Sequence, residues 1–244
     1  MKILFIFIIP LFLISCASNQ KTGEFLQTNS ATTLSRDYED IKKLLLLYKQ
    51  KLDVRNPYNY NKNLKYKIGY EIEHNLNNTN LIKGTYKKYL KKAFEDDTKY
   101  RNDFLILGLY KYIYNVYKIE EGHKLTALDY DKEEFKKLYY TLKVLRWKIR
   151  TDKKRDGNFT FITWQNNWQI ELQRKLNQGK KLSAKLLMNL PSLKSQKESL
   201  LSHSNFNFEI ILTQIIDRVA HSMVALGEEP LNLGINAMKA IIFL

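Results

Sequence analysis

The chain is poor in the residues that build most recognisable sites. Its 244 residues include one cysteine, at position 16, four histidines, four prolines and nine glycines. A lone cysteine forms no intramolecular disulfide and no Cys-ligated metal site. Metal binding needs three or four convergent ligands, yet His74 and His123 stand isolated and no His-x-x-x-His spacing exists. No metal site is expected. Phosphate-cradling Gly-rich loops and Gly-x-Ser-x-Gly elbows are missing as well, which disfavours nucleotide-dependent enzymes, and no cofactor is expected. β-alternation holds over no useful length, and no repeat of fixed period stands out.

What the chain does have begins at its amino terminus, MKILFIFIIPLFLISC. Lys2 precedes a twelve-residue apolar run from Ile3 to Ile14, the charged and apolar regions of an export signal. A spanning helix needs roughly 20 apolar residues, and Pro10 would interrupt its hydrogen bonding. Leu13-Ile14-Ser15-Cys16 resembles the lipobox of bacterial lipoproteins, with Leu three places before the Cys and a small residue just before it. Ile14 departs from the small residue more usual there. The resemblance implies that residues 1–15 are a removed signal peptide. It also implies that the Cys16 thiol carries diacylglycerol and that the new amine is acylated. A lipidated thiol has no redox chemistry, and two or more acyl chains make anchoring stable. In that family an Asp after the Cys marks inner-membrane retention. Ala17 stands here, so the resemblance implies the outer membrane. It covers about sixteen residues and implies nothing about the other 228.

Removal of fifteen residues leaves 229, enough for a substantial core. The formal charge is +15 and unevenly spread: residues 204–244 carry two basic and four acidic side chains, so with Lys2 set aside residues 17–203 carry +16. Such a balance suits nucleic acid, anionic lipid or acidic glycan. Export argues against nucleic acid, and anionic lipid headgroups beside the anchor fit best. The plainer source is composition, since Lys, Asn, Ile and Tyr are all abundant.

Residues 16–35 read as the lipidated Cys and a flexible polar tether, followed by a single helical domain over 36–244 with one candidate division near 151–158. Ser35 is a candidate cap for a helix whose Ile41, Leu44, Leu45, Leu47 and Tyr48 recur at three and four. Further helices are expected over 64–76, 79–96, 104–119, 131–152, 159–177, 182–190 and 205–226, with a last one from Pro230 to the end. The 104–119 segment is apolar nearly all round except for Lys111, Asn115 and Lys118, as in a central helix, and Gly108 is placed to let a neighbour approach. The fold class expected is all-α: an irregular multi-helix bundle or short solenoid-like stack.

Two patterns carry candidate chemistry. Trp164-Gln-Asn-Asn-Trp168 would place two indoles on one helical face, a platform for a sugar ring or peptide if exposed and a core anchor if not. Gln214, Asp217, Arg218 and His221 form a polar strip on an otherwise apolar helix, where Asp217 could orient the His221 imidazole as a base requires; His203 and Glu209 lie upstream. The same strip reads equally as the solvated side of an amphipathic helix. Two function classes follow. The first is a lipid-anchored, non-enzymatic envelope protein whose partners are other envelope proteins. The second is a lipid-anchored cell-wall glycan or peptide binder, or hydrolase, using the 203–221 strip with Trp164 and Trp168.

Overall fold

The computed structural model describes residues 28–122, 124, 126–203, 205–234 and 238. The expected signal segment and Cys16 lie outside the described residues, as does His123. The described part is all-α: nine helices, two 3-10 turns and a single antiparallel bridge, Lys153 with Phe159.

Helix α1 spans Asn29–Arg55. It starts seven residues ahead of the position after Ser35, because the Thr28 hydroxyl caps it by accepting from the Ala31 amide at 3.3 Å. Residues 29–35 are therefore helical, not part of a flexible tether. The stripe Leu34, Tyr38, Ile41, Leu45, Tyr48 and Leu52 is fully buried, and Pro57 follows the Asn56 cap, which stops the helix. Short helices α2 (Lys65–Glu73) and α3 (Tyr86–Ala93) come next. α3 is shorter than the expected 79–96 because Gly84 adopts φ +135°, a conformation that does not continue a helix.

Helix α4 (Arg101–Val116) is buried on every side except Asn115. Lys111 is buried too, donating to Asn77 Oδ1, and Lys118 lies beyond the helix with φ +50°, so the expected polar stripe does not form one exposed line. Gly108 performs the close approach: a Cβ there would sit 2.7 Å from Leu90 Cδ2 and 3.1 Å from the Leu90 amide nitrogen. Arg101, 1 % exposed, donates to the carbonyls of Ala93, Glu95 and Asp96 at 2.6–3.1 Å, satisfying the orphan end of α3.

Asp131 caps α5 (Lys132–Thr151), accepting from the Glu133 and Glu134 amides. The expected 159–177 helix is α6, only Asn167–Asn177, because Asn166 and Gln169 make a capping box and the preceding residues are bound elsewhere: Asn56 exchanges side-chain hydrogen bonds with the Ile162 carbonyl and amide at 3.0 Å. α7 (Ala184–Met188) and α8 (Pro191–Lys194) follow, with Pro191 opening α8 at its first turn, its preferred place. α9 spans Asn207–Ala225 and ends before Gly227, φ +79°. Residues 231–234 carry no regular structure, so no helix opens at Pro230 within them; Met238 is buried.

α9 lies antiparallel on α1: Asp37 meets His221, and the Tyr48 ring meets Phe208 edge-on at 5.5 Å. α5 packs on α9, and α4 packs against α1, α3 and α5. The main apolar cluster runs from Leu34 to Phe161 and resumes at Phe208. No described residue of 162–207 belongs to it, so α6–α8 form a lobe beyond the carboxyl end of α1, tied there by Arg55 to Asn167 Oδ1 and the Gln165 carbonyl.

Candidate functional site

The polar strip of α9 faces the amino-terminal half of α1. Asp37 interrupts α1's apolar stripe and is 1 % exposed. Its Oδ2 accepts from the Ser222 hydroxyl at 2.8 Å, and the His221 Nδ1 lies 2.9–3.0 Å from both carboxylate oxygens. Arg218 adds a longer contact at 3.8 Å and pairs with Asp40 at 3.3 Å. Ser222, fully buried, also meets the Tyr117 hydroxyl at 2.8 Å. Since the serine proton goes to the carboxylate, Tyr117 donates to Ser222. Burial, with the Asp37 charge adding, holds the Tyr117 phenol above its ordinary range and therefore neutral. Tyr117 lines a cavity of about 150 Å³ with Ser35, Tyr38, Asn75 and Lys124. The chain Tyr117–Ser222–Asp37–His221 thus runs from that cavity to a histidine whose side chain is 58 % exposed.

The residue that orients His221 is therefore Asp37, not Asp217. Asp217 is exposed and lines a shallow groove of about 380 Å³ with Asp40, Lys43, Gln214 and Arg218. His203 is exposed and precedes α9, while His221 lies fourteen residues into that helix, about 21 Å along it. The two histidines do not converge. Glu209 belongs to the far end, 3.7–3.9 Å from Arg146 and Arg150.

The tryptophan platform is not built. Trp164 precedes the Asn166 cap while Trp168 lies in the first turn of α6, so the two share no helical face. Trp164 donates its indole N–H to the Arg150 carbonyl at 3.0 Å, and the Arg150 guanidinium covers its ring at 4.8 Å. Both indoles are half-buried, and the Trp168 Nε1 is enclosed without a hydrogen-bond partner.

A second polar cluster joins residues about fifty positions apart in the chain. Lys49, buried, donates at 2.8 Å to both Asp53 and Asp103, and Asn102 donates to Asp53 at 3.0 Å. Asp103 also accepts from the Asn61 amide at 2.6 Å. Burial pushes the Asp103 carboxyl above its ordinary value, against the lowering pull of Lys49. The cluster clamps α1, α4 and the 56–63 loop together beneath a groove of about 440 Å³ edged by Tyr66 and Tyr70. Its signal is present in the chain: Lys49 and Asp53, four apart, both fall beside the apolar stripe of α1.

Among the described residues no group of three His, Cys, Asp or Glu is placed to hold a metal ion, and no helix there is long and apolar enough to cross a membrane. The chain matches no protein-family model, no curated protein and no solved structure with which it was compared.

Proposed function

We propose that the chain is a lipid-anchored cell-envelope lipoprotein whose helical domain serves as a non-enzymatic interaction module. The anchor is the diacylglyceryl group on Cys16 that the lipobox resemblance implies, and Ala17 after it favours the outer membrane. The observation that carries the module reading is the use made of the candidate reactive groups. The Ser222 hydroxyl and the His221 Nδ1 both bind Asp37, and the Trp164 N–H binds a backbone carbonyl. The first two join α9 to α1 and the third joins the loop before α6 to α5, which supports a structural role for each.

A tether of eleven residues separates Cys16 from Thr28. At about 3.3–3.6 Å per residue its full extension is about 40 Å, enough to hold the domain clear of the headgroups. The hydrolase reading retains one favourable observation, a buried carboxylate orienting an exposed imidazole, the arrangement a general base needs.

Two experiments test the proposal. Cys16→Ala abolishes labelling by a fatty-acid analogue and leaves the unprocessed precursor; unchanged labelling overturns the anchor. Affinity capture with the lipidated protein from envelope extract recovers defined envelope proteins. Recovery of glycan strands with no protein partner would overturn the module reading and favour the second.

A further inference from the structure

The charge of this protein is sorted along its length. At the end where the chain enters α1, residues 28–44, 117–137 and 217–234 together hold nine basic and twelve acidic side chains, a net of −3. Those stretches are neighbours: Asp37 meets His221, Tyr117 meets Ser222, and Lys132 and Lys136 meet Glu228. At the other end, residues 146–203 hold thirteen basic and four acidic side chains, a net of +9. A 27-residue α1 separates the two ends by about 40 Å.

The excess is sharpest in residues 178–203, which carry α7 and α8. Lys180, Lys181, Lys185, Lys194 and Lys197 are all exposed, and none forms an ion pair among the described residues. The one acidic residue there, Glu198, is committed inward. Its Oε1 accepts from the Asn167 amide and side chain, and its Oε2 accepts from the Trp168 amide, at 2.8–3.2 Å. Negative charge at a helix amino terminus is favourable, so this carboxylate serves α6 and does not offset the lysines. The outward charge of the segment is therefore close to +5.

The same segment exposes large apolar side chains. Leu182, Met188 and Leu201 are 64 %, 68 % and 91 % exposed, and Leu200 is about half exposed. A shallow groove of about 560 Å³ runs between Met188, Leu193, Lys197 and Leu200. Single exposed leucines are ordinary, but Met188 and Leu200 share one groove with Lys197, and such a grouping marks a contact surface. Lysine beside exposed leucine and methionine suits a bilayer rich in anionic lipid, where charge draws the segment to the headgroups and apolar side chains enter the acyl boundary. A soluble acidic polymer would use the lysines and leave the leucines in water.

We propose that residues 178–203 form a docking surface for a bilayer rich in anionic phospholipid, distinct from the lipid anchor and at the opposite end of the domain. The contact needs no acyl chain, so it is tested without one, and its failure is separable from failure of the anchor. The mature chain, residues 16–244 with Cys16→Ser, is mixed with vesicles of phosphatidylglycerol and phosphatidylcholine, or of phosphatidylcholine alone, and bound protein is measured by co-flotation. The amino-terminal segment is the same in every arm.

Partitioning is at least tenfold stronger into the anionic vesicles at low salt and falls in 0.5 M salt. Replacing Lys180, Lys181 and Lys185 by Gln weakens it about a hundredfold, from about fivefold per lysine. Leu182→Ser with Leu201→Ser weakens it about tenfold and leaves binding to polyglutamate unchanged. All these positions are exposed, and circular dichroism and the urea midpoint check that each variant is folded. Equal partitioning into neutral vesicles, or full binding by the lysine variant, overturns the proposal. Unchanged vesicle binding by the leucine variant overturns it in favour of a soluble polyanion.

Discussion

Asp37 is the position at which the structural reading of the α9 strip is most exposed to test. Asp37→Ala removes an acceptor that is 1 % exposed and leaves the buried Ser222 hydroxyl without its carboxylate partner. A hydrogen bond to a charged group contributes about 1.5–3 kcal/mol. The His221 and Arg218 contributions are discounted, because their side chains are 58 % and 45 % exposed and solvent screens such pairs to well under 1 kcal/mol each. Removing a buried charge relieves some desolvation, which offsets part of the loss. The net expectation is about 2 kcal/mol of destabilisation. For a domain of this size that lowers Tm by about 4–8 °C and the urea midpoint by about 0.7–1 M. Ser222→Ala costs a similar amount, because the buried carboxylate then loses its donor. His221→Ala costs less than 1 kcal/mol, since its ring lies mostly in water. The double variant at 37 and 222 falls short of additivity by about 1–2 kcal/mol, as expected for directly bonded groups. Equilibrium urea unfolding of the four variants decides the matter. If Asp37→Ala lies within 0.5 kcal/mol of wild type, or if His221→Ala costs as much as Asp37→Ala, the strut account is wrong.

Two further perturbations test the packing and the buried ion cluster. Gly108→Ala places a methyl 2.7 Å from Leu90 Cδ2 and 3.1 Å from a backbone nitrogen that cannot rotate away. Overpacking of this kind costs about 1–3 kcal/mol. The better helix propensity of alanine returns up to about 1 kcal/mol, so a net loss of about 1–2 kcal/mol in urea unfolding is expected; a gain in stability would refute the close approach. Asp103 is held above its ordinary carboxyl value of 3.8 by burial, so the folded state keeps its proton to higher pH than the unfolded state does. Its contribution to stability is then greatest at low pH and falls as pH rises from about 4 through the raised native value. Asp103→Asn removes that component, and its urea midpoint changes less than that of wild type between pH 4 and 7. Parallel curves would show that Asp103 titrates normally.

The helices were legible where periodicity and end signals agreed. The stripe of α1, the all-round apolar α4, the start of α5 at Asp131 and the stop of α9 before Gly227 follow from local rules of spacing and capping. The errors have local causes too. Periodicity through Phe159 to Asn177 overrode the Asn166–Gln169 capping box, which was visible in the sequence and marks the true start of α6. Ser35 looked like the cap of α1, but Thr28 upstream does the capping. The site was less legible, because its pairs are separated by long stretches of chain. Asp37 and His221 are 184 residues apart, whereas Asp217 is one helical turn from His221 and so attracted the pairing. A usable signal existed in α1 itself. Asp37, Lys49 and Asp53 are charged residues on or beside an apolar stripe, and charge is almost never buried without a partner. Each of them therefore announces a bond to another element, although the sequence does not say which one.

That rule also bears on whether the basic excess is only a bias of composition. A bias toward lysine adds cations throughout a chain without regard to what opposes them. Here the end that receives the chain from Cys16 opposes nine cations with twelve acids, while residues 146–203 carry thirteen cations and four acids, and among the described residues only Arg146, Arg150 and Arg155 find acids outside the stretch, at Glu209 and Asp96. The imbalance at the far end owes as much to missing acids as to added lysines. Unopposed like charge on one surface costs self-repulsion, and exposed leucines nearby give up burial. Both costs are relieved by one kind of contact, an anionic surface with an apolar interior. Under the lipid anchor proposed at Cys16, such a contact forms on the anchoring leaflet when the domain lies flat, or on a facing membrane when the α1 of about 40 Å stands upright. Lipidated protein distinguishes the two: the flat arrangement leaves anionic vesicles dispersed, whereas the upright one clusters them, and the substitution of Lys180, Lys181 and Lys185 by Gln disperses them again.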